Sequence, residues 1–102
     1  MPDIPVYPGA QHVERKIVNN TTDVLGVAVT ELSFVTSDKP EDVLRFYSDE
    51  LYKNGWRWDV FCDAYKNDTY ERDYLANVHA YVSADGVTRA SVDLSQASAY
   101  CP

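Results

Sequence analysis

The side chains best equipped for chemistry in this sequence are His79, the carboxylates Asp59 and Asp93, Glu50, and the cysteines Cys62 and Cys101. A histidine beside carboxylates can serve general acid–base work or help hold a cation. Around His79 the chain alternates polar and apolar residues, which places Asn77, His79 and Tyr81 on one strand face. Arg89, Ser91 and Asp93 follow the same alternation in the last strand. Arg57, Asp59, Phe61 and Asp63 do so in an earlier one. A solvated sheet face alternates in just this way with no site present. His12, the other histidine, has no companion nearby in sequence, which argues against a two-histidine metal site. There is no Gly-rich phosphate loop, no GxSxG, no HExxH and no calcium loop. No catalytic residue, metal ligand or cofactor is therefore assigned.

Tyrosines offer a second kind of chemistry, recognition. Tyr65, Tyr70 and Tyr74 cluster in or beside one polar stretch, and Tyr52 lies on the polar side of a helix. Exposed tyrosines bring contact area and a hydroxyl at low entropic cost, whereas buried ones would cap the ends of a core. The candidate binding residues are Tyr65, Tyr70, Tyr74, Asp59, Phe61, His79, Tyr81 and Arg89. Glu50 falls inside the apolar arc of its helix, where an unpaired carboxylate is costly to bury. The expectation is that the last turn overhangs the sheet edge and lets Glu50 reach water. If it were buried, Arg57 or a tyrosine hydroxyl would be its partner.

Cys62 and Cys101 have neither metal-ligand spacing nor a CxxC arrangement. Their even count and the penultimate place of Cys101 predict a bridge that pins the tail. Closing so long a loop stabilises a fold by about 4 kcal/mol through chain entropy. The alternative is a pair of thiols in a cytosolic protein.

Charge narrows the partners. The formal net charge is −7 and the pI about 4.5, a balance that repels nucleic acid and anionic membrane. A basic protein or a cation remains possible, as does surplus acid that only confers solubility. No apolar run approaches the ~18 residues of a membrane span. The opening MPDIPVYPGA has no basic region and no long apolar run, so it does not read as a signal peptide. Met1 fits a native start or a start placed after a removed signal.

The elements that must position these residues centre on Ser37 to Trp56. Asp38 or Ser37 can cap a helix, Pro40 suits its opening turn, and Glu41, Asp42 and Lys53 match its dipole. Gly55 sits where a left-handed residue would end it. Val43, Leu44, Phe46, Tyr47 and Leu51 form its apolar arc. Before it, His12 to Val18 reads as a half-buried strand carrying Val13 and Ile17. The cluster NNTTD then turns the chain into a strand over Val24 to Thr36, so these two strands form a hairpin. In the IPVYPGA segment, Val6 and Tyr7 are expected to pack at the domain edge. Asn19, Asn20 and Asn67 each open an N-x-[ST] triplet, which matters only in a glycosylating pathway.

After the helix, Trp56, Trp58, Val60 and Cys62 fall on one strand face, with Trp58 expected under the helix. Residues 63–73 read as the longest loop. Tyr74 to Ala84 and Val87 to Gln96 flank Asp85-Gly86, the strongest hairpin signal present. On these strands Ala76, Val78, Ala80 and Val82 face one way with Ala90, Val92 and Leu94. The chain is long enough for one core. The reading is a single α+β domain, residues 1–102, in the order ββαβββ. One helix lies on one face of a mostly antiparallel sheet of about five strands.

Several of these residues also carry a resemblance. They are Pro5-Val6-Tyr7-Pro8-Gly9-Ala10, Phe34 to Asp38, Pro40 to Tyr47, and Leu51 to Gly55-Trp56. The combination resembles small uncharacterised domains of exported bacterial proteins, often lipoproteins, over roughly the first half of the chain. The resemblance implies an envelope location and no known catalytic residues. The expected function is a non-enzymatic extracytoplasmic domain, whether periplasmic, secreted or envelope-anchored, that binds a protein or envelope component. Its surface would be the open sheet face and the tyrosine loop. The alternatives are a small ligand-binding or enzymatic domain with a pocket between helix and sheet, and an acidic inhibitor or immunity-type protein. A cytoplasmic location is the alternative to export, and the sequence sets no oligomeric state.

Overall fold

The computed structural model describes residues 4–19, 28–67 and 74–96. The elements are β1 Gln11–Asn19, β2 Ala28–Thr36, α1 Pro40–Lys53, β3 Arg57–Asp59, β4 Ala64–Asn67, β5 Tyr74–Val82 and β6 Thr88–Gln96. The strands form one antiparallel sheet in the order β1-β2-β6-β5-β4-β3. This is the expected α+β arrangement of one helix on an antiparallel sheet, with six described strands in place of about five. The addition is β4, which occupies the first part of the stretch read as a loop. The strand expected to run on from Trp56 stops at Asp59 instead. There the Asp59 carboxylate accepts the N–H groups of Phe61 (2.9 Å) and Cys62 (3.2 Å) and folds the chain back. Asp63 takes φ 52° within that turn, and β3 and β4 pair as a hairpin.

The helix begins and ends for separable reasons. Pro40 occupies its first turn and holds Lys39 extended (φ −75°, ψ 151°), so Lys39 is the cap residue, with no side-chain cap bond. The expected cap, Asp38, is engaged elsewhere. Its carboxylate accepts the Tyr7 hydroxyl at 2.5 Å and its carbonyl accepts the Thr88 hydroxyl at 2.6 Å. At the other end Gly55 takes φ 88° and donates to the Tyr52 carbonyl, while the Trp56 N–H donates to Leu51 at 2.9 Å. This paired closure needs the left-handed residue that only glycine supplies without strain, and it brings Trp56 beside Leu51.

Along one register row of the helix-side face the residues are Ile17, Thr30, Leu94, Ala76, Tyr65 and Trp58, one from each strand. Leu94 and Ala76 in the middle are buried, at 2% and 0% exposed. The ends, Ile17 and Trp58, are 75% and 53% exposed. The cause is width. Six strands at about 4.8 Å spacing span roughly 24 Å, while a helix with its side chains is only ~10–12 Å across. The helix lies over β5 and β6, so the sheet margins extend beyond it. Trp58 is therefore on the face that the alternation gives it, but not under the helix as expected. Val13 (41% exposed) and Ile17 likewise do not make β1 half-buried.

The core joins Val43, Tyr47 and Leu51 of the helix to Leu32, Phe34, Ala76, Ala90, Val92 and Leu94 of the sheet, with Trp56 closing one end. The segment before β1 extends this cover with Ile4 and Tyr7, while Val6 stays exposed. Tyr7 stacks on Phe34 and meets Phe46 edge-on, and the buried Tyr47 hydroxyl donates to the Pro5 carbonyl at 2.9 Å. The hydrogen bond to Asp38, then burial and the charges of Asp38 and Asp42, push the Tyr7 phenol up to about 12. Burial pushes the Tyr47 phenol up to about 12 as well. Asn67 is fully buried and donates to the Asn54 carbonyl at 3.2 Å, tying β4 to the helix end. In the folded chain it is a structural residue and not an accessible glycosylation acceptor. Asn19 and Asn20 give no such test, because Asn20 and the side chain of Asn19 lie outside the described residues.

Candidate functional site

On the face away from the helix, register sets three parallel rows. Lys16, Glu31, Asp93 and Asn77 form one, and Glu14, Ser33, Ser91 and His79 the next. Gln11, Val35, Arg89 and Tyr81 form the third. β5 and β6 thus bring His79, Tyr81 and Arg89 onto one surface, as the alternation predicted, beside residues of β1 and β2. Tyr81 is 58% exposed and sits directly across from Arg89. No described element covers this face.

The face is not flat. A hollow of about 320 Å³ opens on it, lined by His12, Glu14, Ser33, Tyr81, Arg89 and Ser91 among others. Its β1 wall comes from a bulge between Gln11 and Glu14, where His12 takes φ 53°. An extra residue at a bulge re-aims a side chain. That is how His12, isolated in sequence, joins residues of β2, β5 and β6. Sequence reading had no signal for it, because a bulge without glycine has no local signature.

The other expected site residues go elsewhere. Asp59 is spent on its turn, and Phe61, 89% exposed, sits in that turn. Tyr74 is buried in the core, and Tyr65 packs edge-on against Trp58 at 5.1 Å on the helix side. Tyr70 lies outside the described residues. Of the expected tyrosine cluster, Tyr74 thus goes to the core and Tyr65 to the Trp58 contact. Glu50 reaches water as expected, with its side chain 30% exposed and 3.4 Å from Lys53. Arg57 lies over the Tyr52 ring at 4.0 Å and donates to the carbonyls of Tyr52 and Trp56. Cys62 is half-buried in the β3–β4 turn and carries no free thiol. Cys101 lies outside the described residues, and so does the expected Cys62–Cys101 pairing.

The chemistry within reach on the open face is limited. Ser91 faces His79 across strands and Asp93 is one pair along, the residue types of a hydrolytic triad. A relay needs the imidazole hydrogen-bonded to the carboxylate through one nitrogen and to the hydroxyl through the other. Here His79 Nε2 approaches Asp93 at 3.9 Å, beyond hydrogen-bond length. Among the described residues no group of three or more His, Cys, Asp or Glu is placed to hold a metal ion. No described helix is long and apolar enough to cross a membrane.

Asp93 is the electrostatic oddity. Burial and the neighbouring Glu31 raise its pKa, against the lowering influence of His79, and Oδ1 is buried without a hydrogen-bond partner. A carboxyl whose folded pKa is raised binds its proton more tightly when folded. It therefore disfavours the fold once ionised, and the penalty disappears as pH falls through the carboxylate range. Asp93→Asn should stabilise the fold at pH 7 and so raise the melting temperature, the gain staying under about 1 kcal/mol because the side chain keeps 34% exposure. Thermal melts at pH 7 and pH 3 check this: the gain must shrink at pH 3.

The chain matches no protein family, no curated protein and no solved structure.

Proposed function

We propose that this is a small, non-enzymatic, extracytoplasmic binding domain that holds a protein partner on the open face of its sheet. The observation that carries the proposal is the uncovered hollow in which Tyr81 and Arg89 stand side by side. Tyrosine and arginine are the residue types that most often dominate interface energetics, above all where a concavity lets a partner desolvate them. Around them the rows mix Glu14, Lys16, Glu31 and His79, a pattern suited to orienting a partner by complementary charge. The non-enzymatic reading is supported by the long His79–Asp93 contact. The extracytoplasmic location rests on the resemblance to exported domains and on the proposed Cys62–Cys101 bridge.

The test is site-specific photo-cross-linking in cells that make the protein, with a photoreactive residue at Tyr81 and, as control, at the exposed Glu41 of the helix. One discrete protein adduct from position 81 and none from position 41 is expected. Equal labelling from both positions, or none from 81, contradicts the proposal.

A further inference from the structure

We infer a second binding site, on the opposite side of the molecule, for a neutral polyhydroxylated chain: an oligosaccharide. It stands independently of the open-face proposal. Between the C-terminal half of α1 and the β3–β4 hairpin runs a groove of about 450 Å³. Its aromatic lining is Trp58 against Tyr65, together with the buried Trp56 and with Tyr52. Its rim is polar, made by Ser48, Asp49 and Lys53. Trp58 and Tyr52 are 53% and 62% exposed, large aromatic surfaces left in water at the margin that the helix does not reach. Contiguous exposed apolar surface rimmed by polar groups marks a binding groove.

The rim selects among ligands that stack on aromatic rings. A cation would suit the rings and Asp49. Lys53 and Arg57 stand beside the same groove, however, and the outer ring at Tyr52 already carries the Arg57 guanidinium. An anion is opposed by Asp49. A proline-rich peptide also docks on aromatic grooves, but its prolines have no N–H to donate. It would desolvate the Asp49 carboxylate, an acceptor only, without giving it a partner. Sugar hydroxyls both donate and accept. They can satisfy Asp49, Ser48 and Lys53 together while the C–H face of a sugar ring lies on the exposed Trp58. Stacking needs a ring held in place beforehand, and the edge-on contact from Tyr65 on the paired strand braces Trp58 in that way.

The probes are chitotetraose, cellotetraose and maltotetraose, read by tryptophan fluorescence and calorimetry on the intact protein. At least one should bind, saturably and with a change in emission. Trp58→Ala should weaken that binding at least about tenfold, equivalent to about 1.4 kcal/mol, and Asp49→Ala should also weaken it. Both variants should keep the circular dichroism of the wild type, because neither residue is in the core. Tyr81→Ala, on the far face, should leave sugar binding unchanged, which separates this site from the open-face surface. The inference is overturned by no binding of any of the three at millimolar concentration, or by binding that survives Trp58→Ala. It is also overturned by a ten-residue polyproline peptide or tetramethylammonium binding where the sugars do not.

Discussion

Trp56→Ala should destabilise the protein by about 3–5 kcal/mol, while its near neighbour Trp58→Ala should cost under about 1 kcal/mol. The two indoles are two residues apart, and only their places in the fold separate them. Trp56 is 2% exposed, set beside Leu51 by the Gly55 closure, so truncation leaves a cavity in the core. Trp58 is 53% exposed and makes its ring contact with Tyr65, so truncation removes a contact and opens no void. Urea unfolding of the two variants checks this directly. Equal losses would mean that the helix covers the β3–β4 margin after all.

Removing the proposed Cys62–Cys101 bridge is expected to cost about 4 kcal/mol, because the loop it closes is long and its constraint acts on the unfolded chain. The motivation is the even cysteine count and the absence of a free thiol at Cys62. Thiol titration of the denatured, unreduced protein should find no reactive thiol. Cys101→Ser and Cys62→Ser should be destabilised to a similar extent, as loss of either partner opens the same loop. Two titratable thiols, or variants as stable as the parent, would remove both the bridge and the redox argument for export.

Much of the fold was legible because single residues carried local physics. Pro40, Gly55 and the Val43–Tyr47–Leu51 spacing specify the helix, and Asp85-Gly86 specifies the last hairpin. The alternation that put Ala76 opposite Leu94 and Tyr81 opposite Arg89 holds in the register. What escaped was decided by distance across the sheet. Alternation says which face Trp58 is on, but not whether a helix only ~10–12 Å wide reaches that far. The same limit left Val13 and Ile17 exposed on β1. Asp59 was read as a strand residue because its turn-forming bond with Phe61 and Cys62 looks, in sequence, like one more polar alternation. Of the site, the strand residues His79, Tyr81 and Arg89 were legible. His12 was not, since a bulge with φ 53° brings it in. Tyr74 went to the core because tyrosine spacing cannot tell a capping ring from a recognising one.

The most direct test of the open face as the binding surface is an affinity measured on the partner identified by cross-linking. Calorimetric titration should compare the wild type with Arg89→Glu combined with Tyr81→Ala, and with Trp58→Ala as a control on the opposite side. The open-face variant should bind at least about 30-fold more weakly, the loss of a hot spot worth about 2 kcal/mol, and the control within about twofold of wild type. An open-face variant that binds like wild type while Trp58→Ala loses the partner would contradict the account.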